Sequence, residues 1–407
     1  MADKVVLAYS GGLDTSAAIQ WLAEERNMDV IALTIDIGGV RDLEAIRQKA
    51  LKVGAIKALT LDARKQFVDG FIFPALRANA LYEGQYPLAT ALGRPLIAKL
   101  MVETAKKEGA TAVAHGSTGK GNDQVRFDVS TVALAPELKV VAPAREWGMT
   151  REQTIAYAAK HGIPIPITIK SPYSIDENLW GRSIECGVLE DPWIEPPEEV
   201  FAWTKSPAAT PDKPGYVEIG FEKGTPVSLD GKKLDGVGLI QRLNDLAGQH
   251  GVGRVDHVES RLVGIKSREI YEAPAATVLL KAHRALEAMT LSRQQLRFNE
   301  KVTSELSDII YDGLWFSALR QDLTAYLENA QKHVSGTIRA KLHKGTCTVV
   351  GRRSPVSLYD HKLATYDKGD LFDHAASPGF IHIWGLPVKL QARIQGSKED
   401  KKGTKRK

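Results

Sequence analysis

Cysteine is scarce in this chain, and long apolar runs are missing. Only 2 of the 407 residues are cysteines, and Cys186 and Cys347 stand far apart and outside any Cys-x-x-Cys pair. This spacing predicts neither a disulfide framework nor a zinc site, and it suits a reducing compartment. No stretch reaches the roughly 18 to 20 apolar residues of a membrane helix, and the first residues show no secretory hydrophobic segment. We therefore expect a cytoplasmic protein without a membrane partner.

An excess of charge of one sign is also missing outside the C-terminus. The formal net charge is +5, but residues 396–407 carry +4 of it, which leaves only +1 for the rest of the chain. That balance does not indicate the basic face of an RNA-binding enzyme, so we expect no nucleic-acid partner and a solvated tail. The length suits two domains with an assembly segment.

A glycine turn between a strand and a helix begins within the first ten residues. The apolar run 5–8 predicts a buried strand, and the apolar spacing of residues 19–23 predicts a helix. Two glycines let the backbone approach a ligand, and the N–H groups at a helix start favour an anion. This arrangement is typical of a phosphate-binding loop.

Asp14 is unusual in such a loop, because a carboxylate repels phosphate unless a cation such as Mg²⁺ lies between them. Ser10, Thr15 and Ser16 add hydroxyl groups, so the segment predicts a site for a metal–nucleotide. The Gly-x-x-x-x-Gly-Lys-Ser/Thr pattern of kinases and ATPases is absent from the sequence. The simpler alternative is an ordinary turn in which Asp14 or Thr15 caps the helix.

Strands and helices alternate from Lys4 to about His161. Strands are expected at 5–8, 30–37, 56–61, 111–114 and 139–142. One helical pattern begins at Phe67, another helix is expected to begin at Pro95, and a third at a capping box, 150–153. The alternation predicts an α/β fold with a doubly wound parallel sheet, whose ligands sit beyond the carboxyl ends of the strands.

The pattern changes after a proline-rich connector at 163–167. Hairpins are expected at 216–229 and 334–352, a strand at 254–265, and long helices at 275–289, 295–311 and 315–332. This predicts a second domain of the α+β class with antiparallel strands. An apolar segment near the C-terminus, including Trp384 and Val388, would be exposed in a monomer and therefore predicts a homo-oligomer.

A second polar segment, His115–Phe127, follows the fourth predicted strand. It contains three glycines, Lys120, Arg126 and several small polar side chains. Such a composition suits the binding of phosphate and of polar substrates through backbone and side chains. A solvated loop is the alternative, which the position after a strand of the same domain disfavours.

The two segments together with other strings of the sequence resemble known families. Ser-Gly-Gly-x-Asp-Thr-Ser at 10–16 resembles the pyrophosphate loop of the N-type ATP pyrophosphatases, and the whole chain resembles the argininosuccinate synthase family. The matching strings run nearly end to end, at 8–16, 84–86, 93–98, 115–127, 161–166, 174–179, 250–254, 266–272 and 354–359. The resemblance implies an ATP-pyrophosphatase domain at 1–165, an α+β synthetase and oligomerisation domain at 166–380, and an oligomerisation segment with a basic tail at 381–407.

The resemblance also implies a reaction. The ureido oxygen of citrulline attacks the α-phosphate of ATP, which gives citrullyl-AMP and pyrophosphate, and the amino group of aspartate then displaces AMP. ATP is the co-substrate, Mg²⁺ is the expected cofactor with ligands that the sequence leaves unknown, and the family's usual assembly is a homotetramer.

Site residues follow from the resemblance position by position. Those expected to hold ATP are Ala8, Tyr9, Ser10, Gly11, Gly12, Leu13, Asp14, Thr15, Ser16, Ile35 and Gly116. Those expected to hold aspartate are Thr118, Asn122 and Asp123, and those expected to hold citrulline are Tyr86, Asn122, Arg126, Ser174, Ser183, Glu259 and Tyr271. Those expected to take part in catalysis are Ser10, Asp14, Arg94 and Lys120.

Two of the departures from the family pattern bear on the binding site. The family usually has Gly-Thr-Ser where this chain has Ala89-Thr90-Ala91, and the serine touches citrulline. Either one substrate hydrogen bond is missing at Ala91, or Thr90 supplies it. The position of Ile35 is commonly small in the family, so the adenine side of the pocket is expected to be tighter.

Glu259 is the expected acceptor for the α-ammonium group of citrulline, because charge-assisted hydrogen bonds of this kind are strong. Alternation along the predicted strand puts it on a polar face with His257 and Arg261. The alternative is a surface glutamate paired with Arg261 or Lys266. If Glu259 binds citrulline, the site lies between the two domains.

Two other functions compete with this interpretation. A tRNA-thiolating pyrophosphatase has the same fold, but it typically uses paired cysteines and a basic RNA face. A non-catalytic nucleotide sensor needs only the phosphate loop, and neither Asp14 nor the polar segment 115–127 is required for that role.

Overall fold

The computed structural model describes residues 2–39, 42–164 and 172–396. The chain divides after Val356 into two compact units. Part of the predicted connector 163–167 and all of the basic tail 397–407 lie outside the described residues. Within the described ranges, no helix is both long and apolar enough to span a membrane.

The predicted parallel sheet is confirmed in the first 160 residues. All of its strand pairs are parallel, and its spatial order is β3-β2-β1-β4-β5. The strands are β1 (Asp3–Ala8), β2 (Met28–Asp36), β3 (Lys57–Asp62), β4 (Ala112–Ala114) and β5 (Lys139–Val141). The helices are α1 (Leu13–Arg26), α2 (Leu43–Val53), α3 (Arg64–Phe67), α4 (Phe73–Arg77), α5 (Ala89–Glu108), α6 (Asp123–Leu134), α7 (Pro143–Glu146) and α8 (Arg151–Lys160).

Helices cover both faces of this sheet, as a doubly wound fold requires. Because alternate side chains of a strand point to opposite faces, Val6 packs in one apolar cluster with α5, and Leu7 packs in another with α1 and α2. Both side chains are completely buried. Burial on both sides explains why these strands are almost continuously apolar.

The first half contains two deviations from the predicted helices. The prediction that Pro95 begins a helix is wrong, because α5 begins six residues earlier and Pro95 lies inside it. The Tyr86 hydroxyl accepts hydrogen bonds from the backbone N–H groups of Thr90 at 3.0 Å and Ala91 at 3.4 Å, and so satisfies the helix start where a cap residue is missing.

The helical pattern that was predicted from Phe67 is split, since a π-helical turn, Val68–Ile72, separates α3 from α4. The capping box at Thr150 is confirmed at the start of α8.

The second half contains two antiparallel sheets, which confirms the predicted α+β class. One has the order β11-β12-β7-β6, and the other has the order β10-β9-β8-β13-β14. The strands are β6 (Ser174–Asn178), β7 (Gly181–Glu185), β8 (Gly215–Glu222), β9 (Thr225–Leu229), β10 (Lys232–Lys233), β11 (Arg254–Ser260), β12 (Lys266–Glu272), β13 (Gly336–His343) and β14 (Thr346–Arg353).

Both predicted hairpins are confirmed, but the strand expected at 254–265 is wrong in its second part. Strand β11 ends at Ser260, and a turn held by the Arg261 N–H and the Ile265 carbonyl leads into β12. Gly264 supplies the left-handed backbone of this turn, with φ at +85°. The apolar residues beside that glycine made the turn look like a continued strand.

The three long helices predicted in the second half are confirmed, with slightly different ends. The helices of this half are α9 (Gly236–Gln249), α10 (Pro274–Thr290), α11 (Arg293–Tyr311) and α12 (Ala318–Ala330). The second compact unit contains α13 (His361–Ala364), α14 (Ser377–Trp384) and α15 (Leu386–Gln395), and none of the residues in these three helices is buried.

Candidate functional site

A cleft of about 720 Å³ opens beyond the carboxyl ends of β1, β2 and β4. The loop after β1 and the segment after β4 form one wall, and the sheet of β6, β7, β11 and β12 forms the opposite wall. Strand β1 lies where the strand order changes direction, with β2 and β3 on one side and β4 and β5 on the other. Ligands of α/β sheets bind at such a switch point.

Most of the residues predicted for the site line this cleft. They are Ala8, Tyr9, Ser10, Gly12, Leu13, Asp14, Thr15, Ile35, Tyr86, Thr90, Arg94, Gly116, Thr118, Asn122, Asp123, Arg126, Ser174, Ser183, Glu259 and Tyr271. The structure therefore brings together residues that are up to 263 positions apart in the chain, from Ala8 to Tyr271.

Four of the predicted site residues do not line the cleft: Gly11, Ser16, Ala91 and Lys120. Ser16 is completely buried, and its hydroxyl is 3.1 Å from that of Tyr9, so it supports the loop from beneath. Ala91 is completely buried in the first turn of α5. Lys120 is exposed, and its backbone carbonyl accepts a hydrogen bond from Arg261 at 3.4 Å.

The loop after β1 presents the uncapped start of α1 to the cleft. Its N-cap residue, Gly12, has no side chain to accept a hydrogen bond from the first helical N–H groups. Ser10 Oγ instead accepts from the Gly12 N–H at 3.3 Å and lies 3.1 Å from Thr15 Oγ1. The free N–H groups and the helix dipole favour an anion here.

Asp14 lies in the first turn of α1, on the wall of the cleft. Burial raises the pKa of its carboxyl group, and Arg151 partly opposes this shift. Among the described residues, no group of three or more His, Cys, Asp or Glu side chains could hold a metal ion. Mg²⁺, however, commonly uses only one or two carboxylates together with phosphate oxygens. A single carboxylate beside an anion site therefore fits Mg²⁺ that arrives with a nucleotide.

Alternating charges join the two walls of the cleft. Arg94 Nε donates to Asp123 at 2.9 Å, Arg126 Nη1 donates to the other oxygen of Asp123 at 2.9 Å, and Arg94 also pairs with Asp176. Burial raises the pKa of Asp123, but the two arginines more than offset this effect, and the net shift is downward. Asp123 is therefore a carboxylate at neutral pH.

Arg126 keeps one donor free. Its Nε donates to the Tyr311 carbonyl at 2.9 Å, but its buried Nη2 has no hydrogen-bond partner among the described residues. Because an unpaired buried N–H of a charged group is costly, this atom indicates a place for an anionic acceptor.

Glu259 is buried, and it does not pair with Arg261 or Lys266. Its two carboxylate oxygens accept hydrogen bonds from the hydroxyls of Tyr271 at 2.6 Å and Tyr311 at 2.7 Å. The polar face predicted for its strand is the face that lines the cleft, whereas Val258, on the opposite face, is half exposed. The sheet pleat also brings Ser183, Glu269 and Tyr271 to the cleft face, because Tyr271 pairs with Ser183 of β7 and Glu269 lies two residues before Tyr271 in β12.

A cluster of one arginine and two glutamates on this face was missed from the sequence. Arg261 Nη2 lies 2.5 Å from a carboxylate oxygen of both Glu185 and Glu269. The pKa of Glu269 is raised to about 9, mainly by burial and to a smaller extent by the negative charges of Glu185 and Glu259. The same alternation that placed Arg261 beside Glu259 could have indicated this cluster.

Lys49 was also missed from the sequence. It projects from α2 and donates from Nζ to the Gly11 carbonyl at 2.7 Å, while Ile46 packs 3.2 Å from the place where a Gly11 Cβ would lie. Gly11 has a φ of +78° that favours glycine. Burial lowers the pKa of the Lys49 ammonium group. The sequence did contain a signal for Lys49: it lies three residues after Ile46, on the inner side of α2.

Comparison with known proteins gives matches over almost the whole chain. A family model described as "Arginosuccinate synthase N-terminal HUP domain" matches residues 4–164, and one described as "Arginosuccinate synthase C-terminal domain" matches residues 173–391. The argininosuccinate synthase of Dehalococcoides mccartyi is 65% identical over 405 residues, which cover 100% of both chains. That of Gloeobacter violaceus is 60% identical over 395 residues, which cover 97% of this chain and 99% of that protein. That of Symbiobacterium thermophilum is 59% identical over 396 residues, with the same two coverages.

Replacing Lys49 by methionine tests whether this lysine supports the phosphate loop. We expect the Lys49→Met protein to bind ATP and pyrophosphate roughly tenfold or more weakly, because a charge-assisted hydrogen bond to the loop and a nearby positive charge are both lost. Isothermal titration calorimetry measures both dissociation constants. Lys52→Met, an exposed lysine on the same helix, is the control. Equal affinities in the two variants would show that Lys49 does not support the phosphate loop.

Proposed function

This chain belongs to the argininosuccinate synthase family, and from that premise we propose how its cleft carries out the family's reaction. The protein is an ATP-dependent ligase that joins citrulline to aspartate and forms argininosuccinate, AMP and pyrophosphate. The relatives that match over their full length carry the name argininosuccinate synthase, so the two alternative functions, a tRNA-thiolating enzyme and a nucleotide sensor, have no support from them. A cytoplasmic location stays a prediction, with the free Cys186 and Cys347 thiols as its support.

We assign the triphosphate of ATP to the loop after β1 and to the start of α1. The support is the uncapped helix start, the hydroxyls of Ser10 and Thr15, and the lysine behind Gly11. Gly116 lies across from this loop, where a Cβ would meet Thr15 at 3.0 Å, so a larger residue would narrow the phosphate end of the cleft. Ile35, at the end of β2, then lies on the nucleoside side.

We assign the contact with Mg²⁺ to Asp14, on the fit of its lone carboxylate beside an anion site. When bound, this ion neutralises charge that develops on the leaving pyrophosphate. Asp14 would hold this ion together with the nucleotide phosphates, and the unsatisfied N–H groups at the start of α1 are available to the phosphates before the reaction begins.

We assign the amino-acid end of citrulline to the second wall. A zwitterionic amino acid needs an acceptor for its ammonium and a donor for its carboxylate. Glu259 offers a buried, oriented carboxylate, and Arg126 offers a guanidinium with one unpartnered N–H. Ser174, Ser183 and Tyr271 supply hydroxyls on the same sheet face. Thr90 lines the cleft whereas Ala91 does not, so Thr90 is the better candidate for the missing serine contact.

We assign aspartate to the segment after β4. Thr118 and Asn122 offer neutral donors and acceptors, and Asp123 is a carboxylate that can accept from an ammonium group. The segment also reaches the opposite wall, since the Leu262 N–H donates to the Asn122 side chain at 3.0 Å. Aspartate bound there lies between the nucleotide loop and the citrulline residues.

The reaction then follows from these positions. The ureido oxygen of citrulline bonds to the α-phosphorus of ATP, the bond to the β-phosphate breaks, and pyrophosphate leaves. The amine of aspartate, after losing a proton, bonds to the ureido carbon, and the bond to AMP breaks. Arg94 orients Asp123 and Asp176 across the cleft, and Ser10 orients the loop. A catalytic role for Lys120 stays a prediction, because its side chain does not line the cleft.

One observation carries this proposal: a single cleft joins an anion-binding loop to a buried carboxylate and a guanidinium with a free donor. Holding the reactants in one cleft converts reactions between separate molecules into steps within one complex.

Isotope exchange tests the order of the two steps. We expect the protein to exchange labelled pyrophosphate into ATP when citrulline is present and aspartate is absent, because adenylation precedes the attack by the amine. The Asp14→Asn variant should lose this exchange by orders of magnitude, as expected when a preorganised electrostatic contact is removed. Asp29→Asn, at the opposite end of β2 from Asp36, is the control. Exchange that needs aspartate, or that aspartate alone supports, contradicts the order.

We propose that the chain assembles into a homotetramer through its C-terminal segment. Apolar side chains of α14 and α15 are exposed to an extent that a lone chain in water does not favour. They are Phe380, Ile381, Ile383, Trp384, Leu386, Val388, Leu390 and Ile394. In a closed symmetric assembly, the same helices of a second copy of the chain can cover these apolar side chains.

Charge placed on these helices should dissociate the assembly. We expect the intact chain to sediment as a tetramer, and the double variant Trp384→Glu, Val388→Glu to sediment as a smaller species, because the buried contacts would then include unpaired charges. Lys389→Glu alters the charge of the same helix without touching its apolar side chains, and it should leave the assembly intact. An intact chain that sediments as a monomer refutes the proposal.

A further inference from the structure

We propose that Tyr311 is a positioning residue, whose hydroxyl aligns the citrulline and aspartate sites with each other. The proposal rests on the function proposed above, in which Glu259 and Asn122 contact the substrates. Tyr311 is the last residue of α11, it is 1% exposed, and it does not line the cleft. None of the sequence motifs singled it out.

The hydroxyl of Tyr311 lies between two of the proposed substrate residues. It donates to Glu259 Oε1 at 2.7 Å and accepts from Asn122 Nδ2 at 2.8 Å. A hydroxyl has one proton to donate, so the Tyr311 O–H points to Glu259 and the Tyr311 oxygen accepts from Asn122. Hydrogen bonds in such a chain strengthen one another in a buried environment. The orientation of the Asn122 amide is therefore linked to that of the Glu259 carboxylate.

The backbone and the ring of Tyr311 hold a third substrate residue. Its carbonyl accepts from Arg126 Nε at 2.9 Å, and the Arg126 guanidinium lies 4.9 Å from the centre of its ring. With Nε and Nη1 both engaged, the remaining Nη2 donor is fixed in direction. One buried side chain thus contacts the proposed partners of the citrulline ammonium, of its carboxylate and of aspartate.

Tyr311 is itself held in place by stacking. Its ring lies 3.5 Å from that of Tyr82, at an interplanar angle of 6°. Tyr271, the other tyrosine on Glu259, stacks in the same way on Tyr86 at 4.3 Å and 13°. Tyr82 and Tyr86 are joined by an isolated β-bridge. Because two rings of the first family domain brace two rings of the second, neither hydroxyl can turn freely away from Glu259.

The Tyr311→Phe variant tests the proposal, because it removes only the hydroxyl and keeps the stacked ring. We expect the KM for citrulline to rise roughly tenfold, as for loss of a hydrogen bond to a charged group, and the KM for aspartate to rise to a smaller extent. The KM for ATP should stay within twofold of the wild type. Tyr326→Phe is the control, since it removes another tyrosine hydroxyl, which is bonded to Asn299 at 2.7 Å, and neither of these residues lines the cleft.

A double-mutant cycle with Glu259→Gln separates positioning from independent effects. If Tyr311 acts through Glu259, adding Tyr311→Phe to Glu259→Gln should change the citrulline KM far less than it does in the wild type. Additive effects on this KM, equal rises in all three KM values, or a Tyr311→Phe protein that behaves like the control would each overturn the proposal.

Two further readouts keep the test decisive. Loss of folded enzyme lowers kcat without changing KM, so the ratio of the citrulline KM to the ATP KM remains informative if Tyr311→Phe is less stable. The wild-type protein is assayed first for citrulline-dependent release of pyrophosphate. Its absence would refute the proposed function itself, and is distinguishable from a failure at Tyr311 alone.

Discussion

The burial of the Glu259 carboxylate is the constraint on which the rest of the site depends. A buried charge is costly unless it is fully hydrogen-bonded, and here two tyrosine hydroxyls reach its two oxygens. Those tyrosines stack on the rings of Tyr82 and Tyr86 from the first family domain. The packing of the two domains therefore supports the carboxylate that is proposed to recognise citrulline.

The other wall of the cleft uses backbone rather than side-chain charge. The start of α1 offers to an anion the N–H groups that the helix cannot satisfy itself, and Gly11 makes the turn that exposes them. Lys49 and Ser16 contact this loop from outside the cleft. The proposed phosphate site thus uses mainly backbone groups and the proposed amino-acid site uses side chains, and the charges of Arg94, Asp123, Arg126 and Asp176 join the two walls.

Much of this arrangement could be predicted from the sequence, where local pattern determines structure. Continuous apolar strands separated by capped helices predicted the parallel sheet, and the sheet placed the loops after β1 and β4 at one edge. Two failures occur where one nearby side chain or one glycine overrides the apolar pattern. Tyr86 caps a helix ahead of Pro95, and Gly264 closes a turn inside an apolar run. Tyr311 is joined to the site only by long-range packing, which no local period encodes, whereas Lys49, Glu185 and Glu269 were missed although the local pattern carried a signal for them.

The central claim is that Glu259 recognises citrulline, and its conversion to glutamine tests it most directly. Calorimetry with a non-hydrolysable ATP analogue already bound measures citrulline affinity without turnover. We expect Glu259→Gln to bind citrulline at least roughly tenfold more weakly, because a charge-assisted bond to the ammonium is lost, while its affinity for the analogue stays the same. The control is Glu83→Gln, a carboxylate bonded to Ser260 outside the cleft. Unchanged citrulline affinity in Glu259→Gln would contradict the account.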